Sequence, residues 1–324
     1  MRILVTGGAG YIGSHVCKAL ARKEYEPIVY DNLSRGHRWA VKWGLLEEGD
    51  IGDTERVGAV LRKYRPAALM HFAAYTSVGE SVDNPQLYYS NNVDGSAALL
   101  RSMIAVEVVP VVFSSSAAVY GIPQSVPIPE DHPLDPVSPY GLSKLKVEKM
   151  LEDLSRTDGL QSISLRYFNA AGADGEGEIG ESHEPETHLI PLALKAARSG
   201  AALKIFGADY ETPDGTCIRD YVHVSDIADA HVRAVEHLLK GRASFVCNLA
   251  NERGYSVKEV VKTAEKVSGK LIKTEIVSRR PGDAPILIGL CKRANTLLGW
   301  KPRSDLQTQI IDAWNWMKRD PRQA

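Results

Sequence analysis

Tyr140 and Lys144 stand four residues apart behind Ser138-Pro139, a good N-cap followed by a residue suited to the first helical position. A helix started there carries both heads on one face. A free phenol, with a pKa of ~10, is a poor base at neutral pH, but an adjacent ammonium and a nicotinamide cation both favour the phenolate. The pair is therefore a candidate acid/base. The apolar run Pro110 to Phe113 ends in Ser114-Ser115-Ser116, and Ser116 is the hydroxyl that would position a substrate oxygen beside Tyr140.

A second group has the chemistry of nucleotide binding. Thr6-Gly7-Gly8-Ala9-Gly10-Tyr11-Ile12-Gly13 follows an apolar run and opens an amphipathic segment. Glycine at Gly7, Gly10 and Gly13 permits a tight turn, close approach to a pyrophosphate and close packing of helix on strand, with free N–H groups facing the anion. Asp31 ends the next apolar run 18 residues after Gly13, near the ~20 expected of a carboxylate that binds an adenine ribose. That carboxylate repels a 2'-phosphate, so the expected cofactor is NAD; Arg35 is the nearby cation that opposes this. Tyr-x-x-x-Lys alone is common on helix surfaces, and serines often satisfy the last backbone groups of a strand. The joint occurrence is what is specific.

These residues need a scaffold of alternating strands and helices. Short apolar runs at Ile3 to Val5, Pro27 to Tyr30, Ala67 to Phe72, Val108 to Ser114 and Ser162 to Tyr167 alternate with helical patterns. Those patterns lie near Ile12 to Lys23, Thr54 to Tyr64, Leu87 to Ala105 and Pro139 to Arg156. Crossover helices between buried strands imply an α/β, doubly wound parallel sheet of Rossmann type. After about Asn169 a Gly- and acid-rich stretch, Gly172 to Glu186, leads into a helix near Leu189 to Arg198 and shorter elements. We expect a cofactor domain over 1–169, with elements returning near 224–250, and a smaller lobe in 170–324.

Composition excludes several classes. The 324 residues are 44% hydrophobic and 24% charged with a net charge of -1, which is ordinary for a globular chain and gives no footprint for nucleic acid or anionic lipid. No apolar stretch approaches the ~20 residues of a membrane span. Cys17, Cys217, Cys247 and Cys291 form no Cys-x-x-Cys pair and are expected to be reduced packing residues in a cytoplasmic enzyme. His15, His37, His71, His132, His183, His223, His231 and His237 show no pairing with Cys or carboxylate clusters, so no metal is expected.

Gly7 to Gly13, Ser116, Tyr140 and Lys144 together resemble the extended short-chain dehydrogenase/reductase superfamily. Within it, several blocks resemble the UDP-glucose 4-epimerases, and the likeness runs from Met1 to about Trp300. These blocks are His71 to Ala74, Val78-Gly79-Glu80-Ser81-Val82, Tyr88 to Val93, Leu165 to Asn169, Gly215 to Val224 and Arg279 to Asp283. The resemblance implies that Tyr11, Ile12, Asp31, Asn32, Leu33, Ser34, Arg35, Gly36, Asp50, Ile51, Phe72, Ala73, Ala74, Thr76, Asn92, Ser114 and Phe168 surround NAD, together with the glycines, Tyr140 and Lys144. It implies a UDP-sugar among Ser116, Tyr140, Asn169, His188, Leu189, Lys204, Ile205, Phe206, Arg219, Arg280 to Asp283, and Leu287. Arg219 and Arg280 offer forks for a diphosphate, Asp283 an acceptor for a ribose hydroxyl and Phe206 a face for uracil.

Three positions depart from familiar members. Thr76 stands where some carry Lys near the cofactor phosphate, and His188 replaces an Asn. Leu287 occupies a position that is Tyr in members restricted to plain hexoses and small in those accepting N-acetylhexosamines. The implied activity is a UDP-glucose/UDP-galactose 4-epimerase in galactose and carbohydrate metabolism, acting by transient oxidation at C4. The implied partner is a second copy, joined through the helices near Leu87 to Ala105 and Pro139 to Arg156. Epimerases of UDP-N-acetylglucosamine or of UDP-xylose/arabinose are the near alternatives. Nucleotide-sugar 4,6-dehydratases and UDP-glucuronate decarboxylases place an acid two positions after the Ser/Thr, where this chain has Ala117-Ala118. A non-catalytic NAD-sensing regulator would lack the Tyr/Lys pair.

Overall fold

Runs such as Ile3-Leu4-Val5 and Val111-Val112-Phe113 are apolar on both faces, as strands covered by helices on two sides must be, and they are buried. The computed structural model describes residues 1–280 and 282–319. In chain order the first part holds β1 (Arg2–Thr6), α1 (Tyr11–Arg22), β2 (Glu26–Asp31), β3 (Leu45–Glu48), α2 (Thr54–Tyr64), β4 (Ala68–His71), α3 (Val78–Asp83), α4 (Pro85–Tyr88), α5 (Ser96–Val106), β5 (Val111–Ser116), α6 (Pro139–Thr157) and β6 (Ser162–Tyr167). There follow β7 (Asn169–Ala171), α7 (Leu189–Ser199), β8 (Leu203–Phe206), β9 (Ile218–His223), α8 (Val224–Leu239), β10 (Phe245–Leu249), β11 (Gly254–Ser256), α9 (Val257–Ser268), β12 (Thr274–Val277), β13 (Ile286–Leu287), α10 (Lys292–Leu298) and α11 (Leu306–Arg319).

The main sheet has seven parallel strands in the order β10-β6-β5-β4-β1-β2-β3, which makes the fold the expected doubly wound α/β type. Strand order turns back between β1 and β4, the place where ligands of such sheets collect. Successive side chains feed opposite cores. Ile3 and Val5 pack with Val16, Leu20 and Val235 under α1 and α8, while Leu4 and Val111 pack with Val57, Leu99 and Val147 under α2, α5 and α6. A third core joins α7, α9 and α11 through Leu194, Val260 and Ile310. Beside it, β9 carries β11, β13 and β7 as partners, and β12 pairs with β8.

Local differences from the sequence reading have physical causes. The helix expected over Leu87 to Ala105 is broken into α4, a π-helical segment at Tyr89–Gly95 and α5. Inside the π segment Asn92 turns inward and bonds both backbone groups of Tyr75, a tertiary demand that overrides regular i→i+4 bonding. The strand expected over Val108 to Ser114 runs instead from Val111 to Ser116, so the three serines lie within the ladder opposite Leu165 to Tyr167. No helix among the described residues is long and apolar enough to cross a membrane, and all four cysteines are buried free thiols.

The acid-rich stretch is held to the first helix by one lysine. Lys18 of α1 donates to Asp174 (2.8 Å), Glu176 (2.7 Å) and Glu178 (2.5 Å), and it is 5% exposed. Lys18→Met leaves three carboxylates facing one another, one of them buried, and should lower stability by about 3 kcal/mol at pH 7. Burial alone would raise the Asp174 pKa, but the Lys18 bond holds it below the usual carboxylate range. The clamp is therefore intact above the ordinary carboxylate pKa and lost as pH falls through the depressed one. Urea denaturation should show the variant's deficit shrinking towards pH 3; an equal deficit at both pH values would assign it to packing.

Candidate active site

α6 starts as its sequence dictates: the Ser138 hydroxyl accepts from the Gly141 N–H at 3.1 Å and Pro139 follows it. Tyr140 and Lys144 come to the carboxyl end of β5, both buried. The Lys144 ammonium donates to the Ser114 carbonyl at 2.8 Å and lies 5.9 Å from the Tyr140 ring centroid. The Ser114 hydroxyl is bonded to the Tyr167 phenol. Burial dominates both ionisations. It pushes Lys144 down to about 7, with Glu148 pulling the other way, and it raises Tyr140 above its ordinary value against the favourable hydrogen bond from Ser116. Burial thus works against the phenolate that an adjacent ammonium and a nicotinamide cation together would favour.

Behind this pair lies a network that the sequence reading missed. Glu148, one helical turn beyond Lys144, accepts from Ser115 Oγ (2.5 Å) and from Arg166 Nε (2.9 Å) and Nη2 (2.5 Å). Arg166 also donates to Tyr120, which donates to Asn248 on β10. The i, i+4 spacing of Lys144 and Glu148 was the available signal.

At the end of β1 the glycine turn makes a cradle. Gly7 has φ +71°, and a Cβ there would lie 2.5 Å from the Ala73 nitrogen; one on Gly13 would lie 2.2 Å from the Gly7 carbonyl oxygen. Gly10 caps α1 with no side chain over the helix end, so the N–H groups face open space suited to a pyrophosphate. Asp31 accepts from the Ala9 N–H (3.0 Å) and the Leu33 N–H (2.8 Å), leaving lone pairs for two ribose hydroxyls. These groups fit a dinucleotide. Asn32 donates to Asp50 (2.7 Å), and Ser34 is bonded to Asn32 (2.7 Å). Ile51 and Phe72 are buried, Ala73 and Ala74 half-buried, and Thr76 exposed. Asn92 is committed to Tyr75 and to Ser143 (3.1 Å), so it shapes the loop after β4. Tyr11 donates to the Gly172 carbonyl (2.6 Å). Phe168 is buried against Gly289.

On the other lobe, Arg219 and Asp283 are paired with each other at 2.5 Å. Leu287 sits opposite Arg219 in the β9–β13 register. Arg280 lies 3.9 Å from the Phe206 ring centroid, covering the face expected for uracil. On β8, Lys204 is exposed and Ile205 buried. Asn169 donates to the Asp220 carbonyl (2.9 Å). Pro281, inside the Arg280 to Asp283 block, lies outside the described residues.

His188 is the N-cap of α7, immediately before the half-buried Leu189. Its Nδ1 stands 2.7 Å from Glu181 and 2.9 Å from Glu186. The reading of His183 as lacking a carboxylate partner is corrected here, since it lies 3.0 Å from Glu181; a tight loop gathers what sequence spacing separates. Burial works against the charge on His188, but the two glutamates raise it to about 10. The position that the resemblance gives to Asn in some members is here a histidine held between two glutamates.

Comparison with known proteins places this geometry. Residues 3–250 match the NAD dependent epimerase/dehydratase family. The UDP-glucose 4-epimerase of Rhizobium meliloti (strain 1021) is 52% identical over 320 residues, covering 98% of this chain and 97% of the relative. The crystal structure of UDP-glucose 4-epimerase from Brucella ovis in complex with NAD shares 48% identity at a TM-score of 0.94, covering 97% of each chain. UDP-glucose-4-epimerase from Stenotrophomonas maltophila, with bound NAD and formylated UDP-arabinopyranose, shares 38% at a TM-score of 0.96 over 100% of each chain. With a glycine cradle at the switch point, a carboxylate at the end of β2 and a buried Tyr/Lys pair on a chain matched over nearly its full length, the protein belongs to the NAD dependent epimerase/dehydratase family.

Proposed function

We propose that the protein interconverts UDP-glucose and UDP-galactose by inverting C4 of the hexose, with tightly held NAD as its cofactor. The observation that carries this reading is the buried Tyr140/Lys144 pair at the end of β5, with Lys144 fixed on the Ser114 carbonyl at 2.8 Å, beside the glycine cradle. The cradle, Asp31 and the loop after β4 would hold NAD, which would supply reversible hydride acceptance at C4. Ser116 positions the C4 oxygen. Tyr140 takes the hydroxyl proton and later gives it back. Lys144, anchored on the Ser114 carbonyl, supplies positive charge beside the phenol and a donor for the nicotinamide ribose. Arg219 and Arg280 take the diphosphate and His188 donates a hydrogen bond to the substrate, so substrate entry exchanges Asp283 for phosphate at Arg219. Ala117 and Ala118 supply no acid for elimination, which separates the reading from the dehydratases and decarboxylases.

In this reading NAD is held by 1–169 with the elements returning at 224–250, and the UDP-sugar mainly by 170–324. It also makes the protein a cytoplasmic homodimer, joined through α5 and α6, that works in galactose and wider carbohydrate metabolism without a nucleic-acid partner; the family resemblance and the net charge of -1 support this. Side-by-side turnover of the glucose/galactose, N-acetylated and xylose/arabinose pairs tests the substrate, and failure on all three would favour an NAD-sensing regulator.

Tyr140→Phe should keep folding and NAD binding while turnover falls about 100-fold or more; unchanged turnover would move the acid/base elsewhere. Lys144→Ala should be most defective near pH 6, where the native ammonium, with its pKa of about 7, is charged. The gap to wild type should narrow towards pH 9, as the native lysine loses its proton and the phenol ionises more readily. A constant ratio across that range would restrict Lys144 to anchoring the cofactor.

Leu287 leaves a sugar pocket between those bounded by Tyr and by a small residue. The N-acetylated pair should therefore turn over, but less efficiently, since apolar crowding discriminates by only ~1–3 kcal/mol. Leu287→Tyr should suppress N-acetylated turnover selectively and Leu287→Ser should raise it. If neither changes the ratio, Leu287 does not touch the sugar.

A further inference from the structure

The one cation that argued against NAD in the sequence is disarmed in the fold. Gly36 folds tightly back on Asp31, where a Cβ would lie 2.9 Å from both the Asp31 carboxylate and the Ala9 methyl. Arg35 is thereby carried to the crevice beside Gly10 and Tyr11. A cation there is what this fold uses to accept a 2'-phosphate. Its guanidinium instead donates to Glu80 on α3 at 2.6 Å and to the Glu184 carbonyl at 3.4 Å, and lies 5.4 Å from the Tyr75 ring centroid. The other Glu80 oxygen accepts from Tyr88 at 2.8 Å, which fixes the carboxylate's orientation. The pair is part-exposed, so it contributes little to stability. Its effect is on local charge: Asp31 and Arg35 alone would sum to zero, and Glu80 makes the group net negative.

We propose that Glu80, in the Val78 to Val82 block, is a cofactor-specificity residue that holds Arg35 away from the adenine ribose and so excludes NADP. The proposal rests on Asp31 being the ribose carboxylate. Two groups then act together, Asp31 by direct repulsion of a 2'-phosphate and Glu80 by occupying the cation that would attract it.

The test titrates the full chain and its variants with NADH and NADPH and compares the ratio of the two dissociation constants. Glu80→Gln, which can still accept from Tyr88, should move the ratio about tenfold towards NADPH, a plausible scale for freeing one charge at a part-exposed site. The same change in an Arg35→Ala background should not move it. In Arg35→Ala alone the ratio itself should stay within about twofold of the wild-type ratio. A wild-type ratio in Glu80→Gln overturns the proposal. So does a shift that survives the loss of Arg35, or a tenfold loss of NADPH affinity in Arg35→Ala alone. Asp31→Ala separates the underlying reading: if it changes neither constant, the ribose lies elsewhere, whatever Glu80 does.

Discussion

Two backbones meet at the centre of the molecule where a side chain would ordinarily stand between them. Gly7 packs directly on the peptide between Phe72 and Ala73, and Gly13 packs on Gly7, so β1, β4 and α1 approach more closely than any Cβ would allow. Because strand order reverses between β1 and β4, this contact sets the width of the crevice between the half-sheets. Its influence reaches the chemistry by direct steps. Ala73 leads to Tyr75, whose backbone is held by Asn92; Asn92 donates to Ser143, and Ser143 donates to the Tyr140 carbonyl at 2.7 Å. The glycine cradle and α6 are one connected unit.

The electrostatics of that unit follow from how little solvent reaches it. Tyr140 stays protonated and Lys144 sits near its midpoint because burial disfavours charge on either. The nearest full charges, Glu148 and Arg166, neutralise each other in a bidentate pair. On the other lobe Arg219 is satisfied by Asp283.

Much of this was legible in the residues themselves. The glycine spacing, Asp31, the Ser138 cap and the Tyr140/Lys144 separation are local signals, and each fixes backbone geometry within a few residues. The apolar runs gave the strands because parallel strands must be apolar on both faces. What escaped the reading depends on partners distant in sequence. Lys18 meets carboxylates 156 to 160 residues away, and Arg35 meets Glu80 across 45. The π segment exists because Asn92 answers the Tyr75 loop, which helical periodicity cannot report. The desolvation of Tyr140 escaped for a related reason, since spacing identifies a neighbouring charge but not the loss of water around it.

The seventh strand has a further consequence. β10 completes the main sheet against β6, yet Ser162 and Ser244 at the start of that pairing are 82 residues apart, and the intervening chain has gone out to build part of the other lobe. During synthesis from the amino end, β6 is the bare edge of a six-stranded sheet until β10 emerges, with unpaired N–H and C=O groups along an apolar strand. Asn248 on β10 is also the terminal partner of the Tyr120, Arg166 and Glu148 network. The support behind Lys144 therefore closes only when the sheet does, and a nascent chain acquires its protected edge and its finished candidate site in the same event.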